Sequence, residues 1–335
     1  MPPPWLKENA KTSTMNSLLF VSSHWLNSEN GRGTLDLCLS GNEKVAVRFA
    51  YPSQRFQDWA SQQWCIWRGQ EIDPQNTDWL MGPFGNVDSI ADDFIARLAE
   101  DEHLDIERNV NTGGLLSSIQ ELNLPESEFE RLSPQVIDFY ENTTQYDLEL
   151  WIEWSSYFRP FGGLVQYLYS SRLKQLNLPL RPLETSRGIN SELIMLRDSQ
   201  SREVKYTVWY RVLRSNGHVI YSGIYTTCVL PSGQACVKAI FPLPRGSATV
   251  IMAPTVGPNG ELHLDSSGQK FGDPGFYFLL TDSKGGYWAK YIPSFREHIA
   301  VFEDDRKELR AEHSVSLWRQ RVLEIHYKMF QSTRQ

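Results

Sequence analysis

The feature that most constrains the fold is an alternation of apolar and polar side chains that begins at Tyr146. From Tyr146 to Trp154 every second residue is apolar, which is the period of a strand with one buried face. Similar segments follow as far as residue 330, separated by turn signals such as Asn216-Gly217. About ten antiparallel strands in succession need closure or strong curvature to protect their edges. The pattern therefore predicts a large curved antiparallel sheet or open β-barrel over residues 144–330.

Several of the predicted strands are apolar on both faces. In the strand predicted at 204–213, valines and tyrosines occupy one face, and the other face still carries Trp209 and Leu213. A sheet covered on both sides explains this pattern, with one face toward an interior and the other beneath a helix or a second sheet. A helix predicted over residues 158–176 is the expected cover.

The front of the chain has a different, mainly helical pattern. Residues 1–33 are polar, and we expect them to be loosely ordered. Residues 34–143 are predicted to contain a small β-hairpin followed by helices. Ser133 and Pro134 mark one helix start, because a capping hydroxyl precedes a proline at the first helical position. The predicted fold class is therefore α+β, with the sheet in the C-terminal two-thirds.

A strand, a helix and a long antiparallel meander follow one another over roughly residues 146–330. This order of elements resembles the opening of the helix-grip architecture of lipid-transfer proteins. The resemblance is one of element order, without a shared motif. The pattern lacks the long C-terminal helix that completes that architecture.

Charge and motif content exclude several classes of function. The chain has 33 basic and 40 acidic residues, and its basic residues are scattered rather than clustered. We therefore expect neither nucleic acid nor an anionic bilayer as an electrostatic partner. No Cys-x-x-Cys pair or phosphate-binding loop is present, so no cofactor is expected. Ser171 and Lys174 match the Ser-x-x-Lys motif of acyl-enzymes, but its companion elements are absent and an exposed helix turn is the expected interpretation. No apolar run is long enough for a leader or a transmembrane segment, which predicts a soluble, cytoplasmic protein.

His313 is the polar residue that the pattern places in the interior. Its face of the strand predicted at 308–318 otherwise carries leucine, alanine and valine. A buried imidazole needs a hydrogen-bond partner, and it can orient the polar end of a ligand or act as a base. Loops at 159–163 and 271–275 are expected at the rim, where an arginine suits an acidic head group. The predicted ligand-binding residues are Trp154, Arg159, Tyr206, Tyr210, Asp273 and His313.

Glu261, His263 and Asp265 form the best metal or acid–base candidate in the sequence. They share one face of a predicted strand, at a spacing that lets long side chains converge on one ion or one water. The neighbouring Asn259-Gly260 turn favours the other interpretation, the ordinary solvated face of an edge hairpin.

Three functions remain open at this point. The first is a binding module that holds an apolar or amphipathic, lipid-like small molecule within the curved sheet. The second is an enzyme that uses His313 or the Glu261, His263 and Asp265 face. The third is a structural or interaction protein, a homodimer for example, in which a tryptophan stripe on a helix at 53–69 is the contact surface.

Overall fold

The computed structural model describes residues 48–85, 90, 93–108, 110–165, 178–179 and 188–332 of the 335-residue chain. All of them belong to one structural unit, Arg48–Gln335. The segment 1–33, almost all of the predicted hairpin and most of the helix predicted over 158–176 lie outside the described residues.

The helices are short and lie mainly in the N-terminal half of the described chain. Ser133 caps one of them, since its hydroxyl accepts a hydrogen bond from the Gln135 amide at 3.2 Å and Pro134 occupies the first turn. This confirms the helix start predicted from the sequence. The helices are α1 (Phe56–Arg68), α2 (Asp93–Glu102), α3 (Glu126–Phe129), α4 (Pro134–Glu141) and α5 (Arg159–Val165).

Fourteen strands form one antiparallel sheet, where the alternating pattern predicts such a sheet with about ten strands. The strand expected from Tyr146 is present, and its buried residues Tyr146, Leu148, Leu150 and Ile152 alternate as predicted, whereas Trp151 is exposed. The strands are β1 (Gln70–Ile72), β2 (Leu104–Glu107), β3 (Tyr146–Trp154), β4 (Ile189–Asp198), β5 (Val204–Leu213), β6 (Val219–Val229), β7 (Ala235–Leu243), β8 (Gly246–Val256), β9 (Leu262–Asp265), β10 (Gly275–Thr281), β11 (Tyr287–Tyr291), β12 (Phe295–Glu303), β13 (Leu309–Leu317) and β14 (Gln320–Gln331).

The sheet divides at β8 into two halves. The first part of β8, from Gly246 to Ile251, pairs with β10, and its last part, from Ala253 to Val256, pairs with β9. On one side the order is β2-β4-β5-β6-β7-β8, with β10, β11 and β1 attached. On the other side the order continues β9-β12-β13-β14-β3. The long strand β8 thus belongs to both halves and joins them through its backbone hydrogen bonds.

The sheet is not closed. Its main path ends at β2 and at β3, and among the described strands no ladder joins these ends. The α+β class with a large antiparallel sheet is therefore confirmed, whereas closure of the sheet is not observed. β1 and β2, which belong to the region predicted to be mainly helical, pair with β11 and β4 and so join that region to the sheet.

Apolar side chains are buried on both sides of the sheet. The inner faces of the two halves share one core, to which α4 and the chain before it also contribute. On the outer side of the first half, α2 packs on β4–β7 through residues such as Phe94 and Ile224. Trp79 and Leu80 cover the outer side of β7, β8 and β10 in the same way. Burial on both faces explains why these strands are apolar on both faces.

Candidate ligand-binding cavity

A cavity of about 630 Å³ lies between the two halves of the sheet. Its wall is formed by the inner faces of β5–β8 and β10 on one side and of β3 and β12–β14 on the other. Most wall residues are aliphatic or aromatic, as expected for strands whose inward positions alternate with outward ones. This volume lies within the ~300–1,000 Å³ range that small-molecule sites usually occupy.

Arg211 is a charged residue in the wall of the cavity, as Asp58 and Glu297 are. It lies on β5, and only 6% of its surface is exposed. Its guanidinium stacks 3.4 Å from the centre of the Trp209 ring, and its Nη1 donates to the Tyr327 hydroxyl at 3.3 Å. Within the described part of the chain, its Nε has no hydrogen-bond partner and no carboxylate forms an ion pair with it. A nearly buried cation is thus held mainly by aromatic rings.

His313 and Glu297 form a second polar group in the same wall. The His313 Nε2 atom lies 3.0 Å from Glu297 Oε2, and both side chains are largely buried. The pair is diagonal, since His313 on β13 lies opposite Ile299 on β12 and Glu297 is two residues before Ile299. The carboxylate therefore holds the imidazole against the cavity wall, where the ring can receive or orient a polar group.

Two tyrosines of β6 also line the cavity. Tyr221 and Tyr225 lie on β6, and burial raises the pKa of both phenols above their ordinary value. Both phenols therefore remain protonated at physiological pH, so each can act as a hydrogen-bond donor. These polar residues come from both halves of the sheet, and Asp58, Ser61 and Gln62 of α1 add a further polar part to a mostly apolar wall.

The cavity reaches solvent beside α1. Trp64 lines the cavity although 44% of its surface is exposed. Trp59 and Trp67 belong to the same predicted stripe, but Trp59 packs toward Leu280 and Trp67 is exposed. Trp64 and Trp67 are thus exposed on α1, as Phe56 is, and Trp59 is the member of the stripe that packs inward.

The structure brings two of the six predicted ligand-binding residues to the cavity, Trp154 and His313. Trp154 also donates from Nε1 to the Pro179 carbonyl at 2.9 Å. Tyr206 and Tyr210 lie on the opposite face of β5, packed with the side chains under α2. The reason is that both faces of β5 are apolar, so its alternation does not tell which face meets the cavity.

The other two predicted residues lie outside the cavity wall. Arg159 is exposed at the start of α5 and does not line the cavity. Asp273 accepts hydrogen bonds from the amides of Gln269 and Lys270, and its carbonyl accepts one from the Tyr277 hydroxyl. Its carboxylate therefore shapes its own loop rather than the cavity rim.

The Glu261, His263 and Asp265 face forms two separate pairs. His263 lies 3.7 Å from Glu261, whereas Asp265 lies 3.3 Å from His298 on the neighbouring strand. The two imidazole rings are stacked with their centres 5.3 Å apart. The three predicted ligands are thus divided between two pairs. The group of described residues whose ligand atoms do approach one another is Glu153, Glu324 and His326, on the outer side of β3 and β14.

Buried thiols do not add chemistry to the site. Cys228 and Cys236 lie opposite each other on β6 and β7. Burial raises the pKa of Cys228 to about 11 and that of Cys236 to about 12. Both remain protonated at neutral pH and are weak nucleophiles.

Comparison with known proteins gives one relative. The chain is 24% identical over 280 residues to a Bacillus subtilis (strain 168) protein named "Uncharacterized membrane protein YndJ". The matched part covers 78% of this chain and 46% of the relative, so the chain spans about half the relative's length. No family model matches the sequence, and no solved structure matches it.

This comparison corrects the expectation of a soluble, cytoplasmic protein. That expectation was based on the lack of a long apolar segment, and it is contradicted because the relative is named a membrane protein. The relative's name also gives no support to lipid binding. Within the described residues, no helix has both the length and the apolar character that a bilayer crossing requires.

Proposed function

We propose that the chain binds an apolar or amphipathic small molecule in the cavity between the two halves of the sheet. The observation that carries the proposal is the combination of a volume of about 630 Å³ with a mostly apolar wall that also carries a polar cluster of Arg211, Glu297 and His313. Apolar walls supply affinity by removing ligand surface from water, and a few placed polar groups fix its orientation. In this proposal the sheet curves around its ligand.

The position of the polar cluster supports an amphipathic ligand over a purely apolar one. Arg211, Glu297 and His313 meet the cavity from different strands. A purely apolar ligand would remove water from these polar groups without replacing its hydrogen bonds, which costs free energy on binding. A ligand with one polar end and an apolar body satisfies both parts of the wall.

An enzyme remains the alternative for which the structure offers one supporting contact. His313 with Glu297 has the arrangement of a base held by a carboxylate. In the described residues, however, the recorded partner of His313 is Glu297 alone, and no hydroxyl or thiol is hydrogen-bonded to the ring. Binding therefore requires fewer assumptions than catalysis does.

The test uses two samples of the purified protein. One is extracted with organic solvent, and the released molecules are identified by mass spectrometry. The other stays folded and is titrated with N-phenyl-1-naphthylamine. This neutral dye fluoresces in apolar surroundings. We expect saturable fluorescence with one dye per chain. Because the relative is named a membrane protein, protein from the membrane and the soluble fractions of the producing cells is analysed separately.

Protein unfolded in denaturant is the control for unspecific binding. Fluorescence that rises without saturation in the folded protein, together with an extract free of small molecules, contradicts the proposal.

A further inference from the structure

Arg211 carries an unbalanced charge within an apolar wall. Its side chain is more than nine-tenths buried, and its recorded hydrogen bond is the one from Nη1 to Tyr327. Within the described residues its Nε has no partner, and the nearby acidic side chain, Glu297, is paired with His313 instead. A buried arginine is ordinarily paired with a carboxylate or a phosphate.

The aromatic rings around Arg211 fix the guanidinium in one orientation. The guanidinium carbon lies 3.4 Å from the Trp209 ring centre and 5.2 Å and 5.3 Å from those of Tyr221 and Tyr327. Stacking of this kind holds the planar fork while its N–H groups stay directed outward along the plane. A guanidinium fixed before binding loses little conformational entropy when an anion docks on it.

We propose that Arg211 recognises an acidic head group, and that the ligand is an amphipathic molecule with a single carboxylate on an apolar body. This inference rests on the proposed function, since it assigns the polar end of the same ligand. The carboxylate accepts hydrogen bonds from the Arg211 fork, and Tyr221 and Tyr225 lie in the same part of the wall as further donors.

The carboxylate of Glu297 favours a ligand whose head group carries one negative charge over a ligand whose head group carries two. Its carboxylate lines the same cavity and acts electrostatically on the same tyrosines as Arg211 does. A head group with two charges meets this carboxylate at short range in a weakly screened environment, which opposes binding. A carboxylate therefore fits the wall better than a phosphate monoester dianion does.

The experiment measures displacement of N-phenyl-1-naphthylamine by three ten-carbon ligands at pH 8: decanoate, decanol and decyl phosphate. We expect decanoate to bind about 10- to 100-fold more tightly than decanol, the gain of a charge-assisted hydrogen-bond pair. Decyl phosphate, which is a dianion at this pH, is expected to bind more weakly than decanoate.

Arg211→Met tests whether Arg211 recognises the carboxylate, because methionine is an unbranched side chain without charge. The preference for decanoate over decanol is expected to disappear in this variant, while dye binding persists. Arg214→Met is the matched control, since Arg214 is exposed at the end of the same strand and donates to Asn190. It is expected to keep the preference of the native protein.

The outcomes separate this inference from the proposed function. Equal binding of decanoate and decanol by the native protein contradicts the claim that the cavity recognises an acidic head group. Tighter binding of decyl phosphate than of decanoate contradicts the claim that the head group carries a single charge. A preference that survives in Arg211→Met overturns the role of Arg211. If Arg211→Met does not fold, Arg211→Lys replaces it as the test, since lysine keeps the charge but lacks the planar guanidinium. This variant must show a weaker preference for decanoate over decanol. Absence of dye binding in the native protein contradicts the proposed function itself.

Discussion

At the scale of single residues, Asp282 shows how a buried charge is used to fix a turn. Its Oδ1 accepts hydrogen bonds from the amides of Lys284 and Gly286 at 2.8 and 2.9 Å, and its Oδ2 accepts one from Trp288 Nε1 at 3.0 Å. Burial alone would raise the pKa of this carboxyl, but these hydrogen bonds, with the charge of Arg48, lower it below its ordinary value.

We predict that Asp282→Asn lowers the free energy of unfolding by about 1.5–3 kcal/mol at pH 7, because an amide places a donor where the carboxylate accepts. A lowered native pKa means that the unfolded state binds the proton more readily. The stabilisation is therefore present above pH ~4 and is lost as the pH falls through the native pKa. Denaturant unfolding at pH 7 and pH 3 should show the difference between the two proteins narrowing at pH 3.

Asp305→Asn is the control for this prediction. Asp305 is an exposed residue of the turn between β12 and β13, where substitution is expected to change stability by less than ~0.5 kcal/mol. A difference between Asp282→Asn and the native protein that stays constant with pH contradicts this account of the turn.

The candidate site was only partly predictable from single residues. His313 could be selected because one polar residue interrupts an otherwise apolar face. Arg211 shares its face of β5 with Trp209 and Leu213, and this was the available signal, but an isolated arginine in a strand is also typical of a solvent-facing position. Glu297 gave no signal, because its diagonal pairing with His313 depends on the register of β12 against β13.

At the scale of elements, neighbouring residues of β6 point to opposite sides of the sheet. Ile224 is fully buried on the outer side beneath α2, and Tyr225 lines the cavity on the inner side. We predict that Ile224→Ala costs about 2–5 kcal/mol of stability and leaves dye affinity unchanged, because the lost contacts lie outside the cavity. Tyr225→Ala is expected to lower stability and also to change dye affinity. Denaturant unfolding and dye titration of both variants check this.

An Ile224→Ala variant that remains folded and loses dye affinity contradicts this division. The dye would then occupy the space beneath α2 or respond to a disturbance of the whole sheet.

Alternation predicted most strands but not all of them. β3 alternates cleanly because one face is buried and the other is exposed. β4 gave no such pattern, since Leu193, Ile194, Met195 and Leu196 are all buried in succession between the cavity side and α2. A strand buried on both faces has no period of two, and local sequence does not distinguish it from a buried helical turn.

At the scale of the whole molecule, the cavity exists because β8 belongs to both halves of the sheet. Its two ends pair with different strands, so the inner faces of the halves share one core with space between them. Such a division depends on pairings between residues far apart in sequence, and the strand pattern alone predicts the sheet without predicting where it divides. The volume of the cavity follows from this arrangement and not from any single strand.

The central claim is that the space between the two halves is a binding site. Ala311→Phe tests it most directly, because Ala311 is a small, nearly buried residue of β13 in the cavity wall. Ala300→Phe makes the same change on β12, at a position that does not line the cavity and lies opposite Glu312. Both variants are checked by denaturant unfolding before they are titrated with N-phenyl-1-naphthylamine.

We predict that Ala311→Phe weakens dye binding at least about 10-fold, since the new ring occupies the space of the ligand, a loss of about 1.4 kcal/mol or more. Ala300→Phe is predicted to bind as the native protein does. Unchanged affinity in a folded Ala311→Phe protein contradicts the claim that this cavity is where the ligand binds.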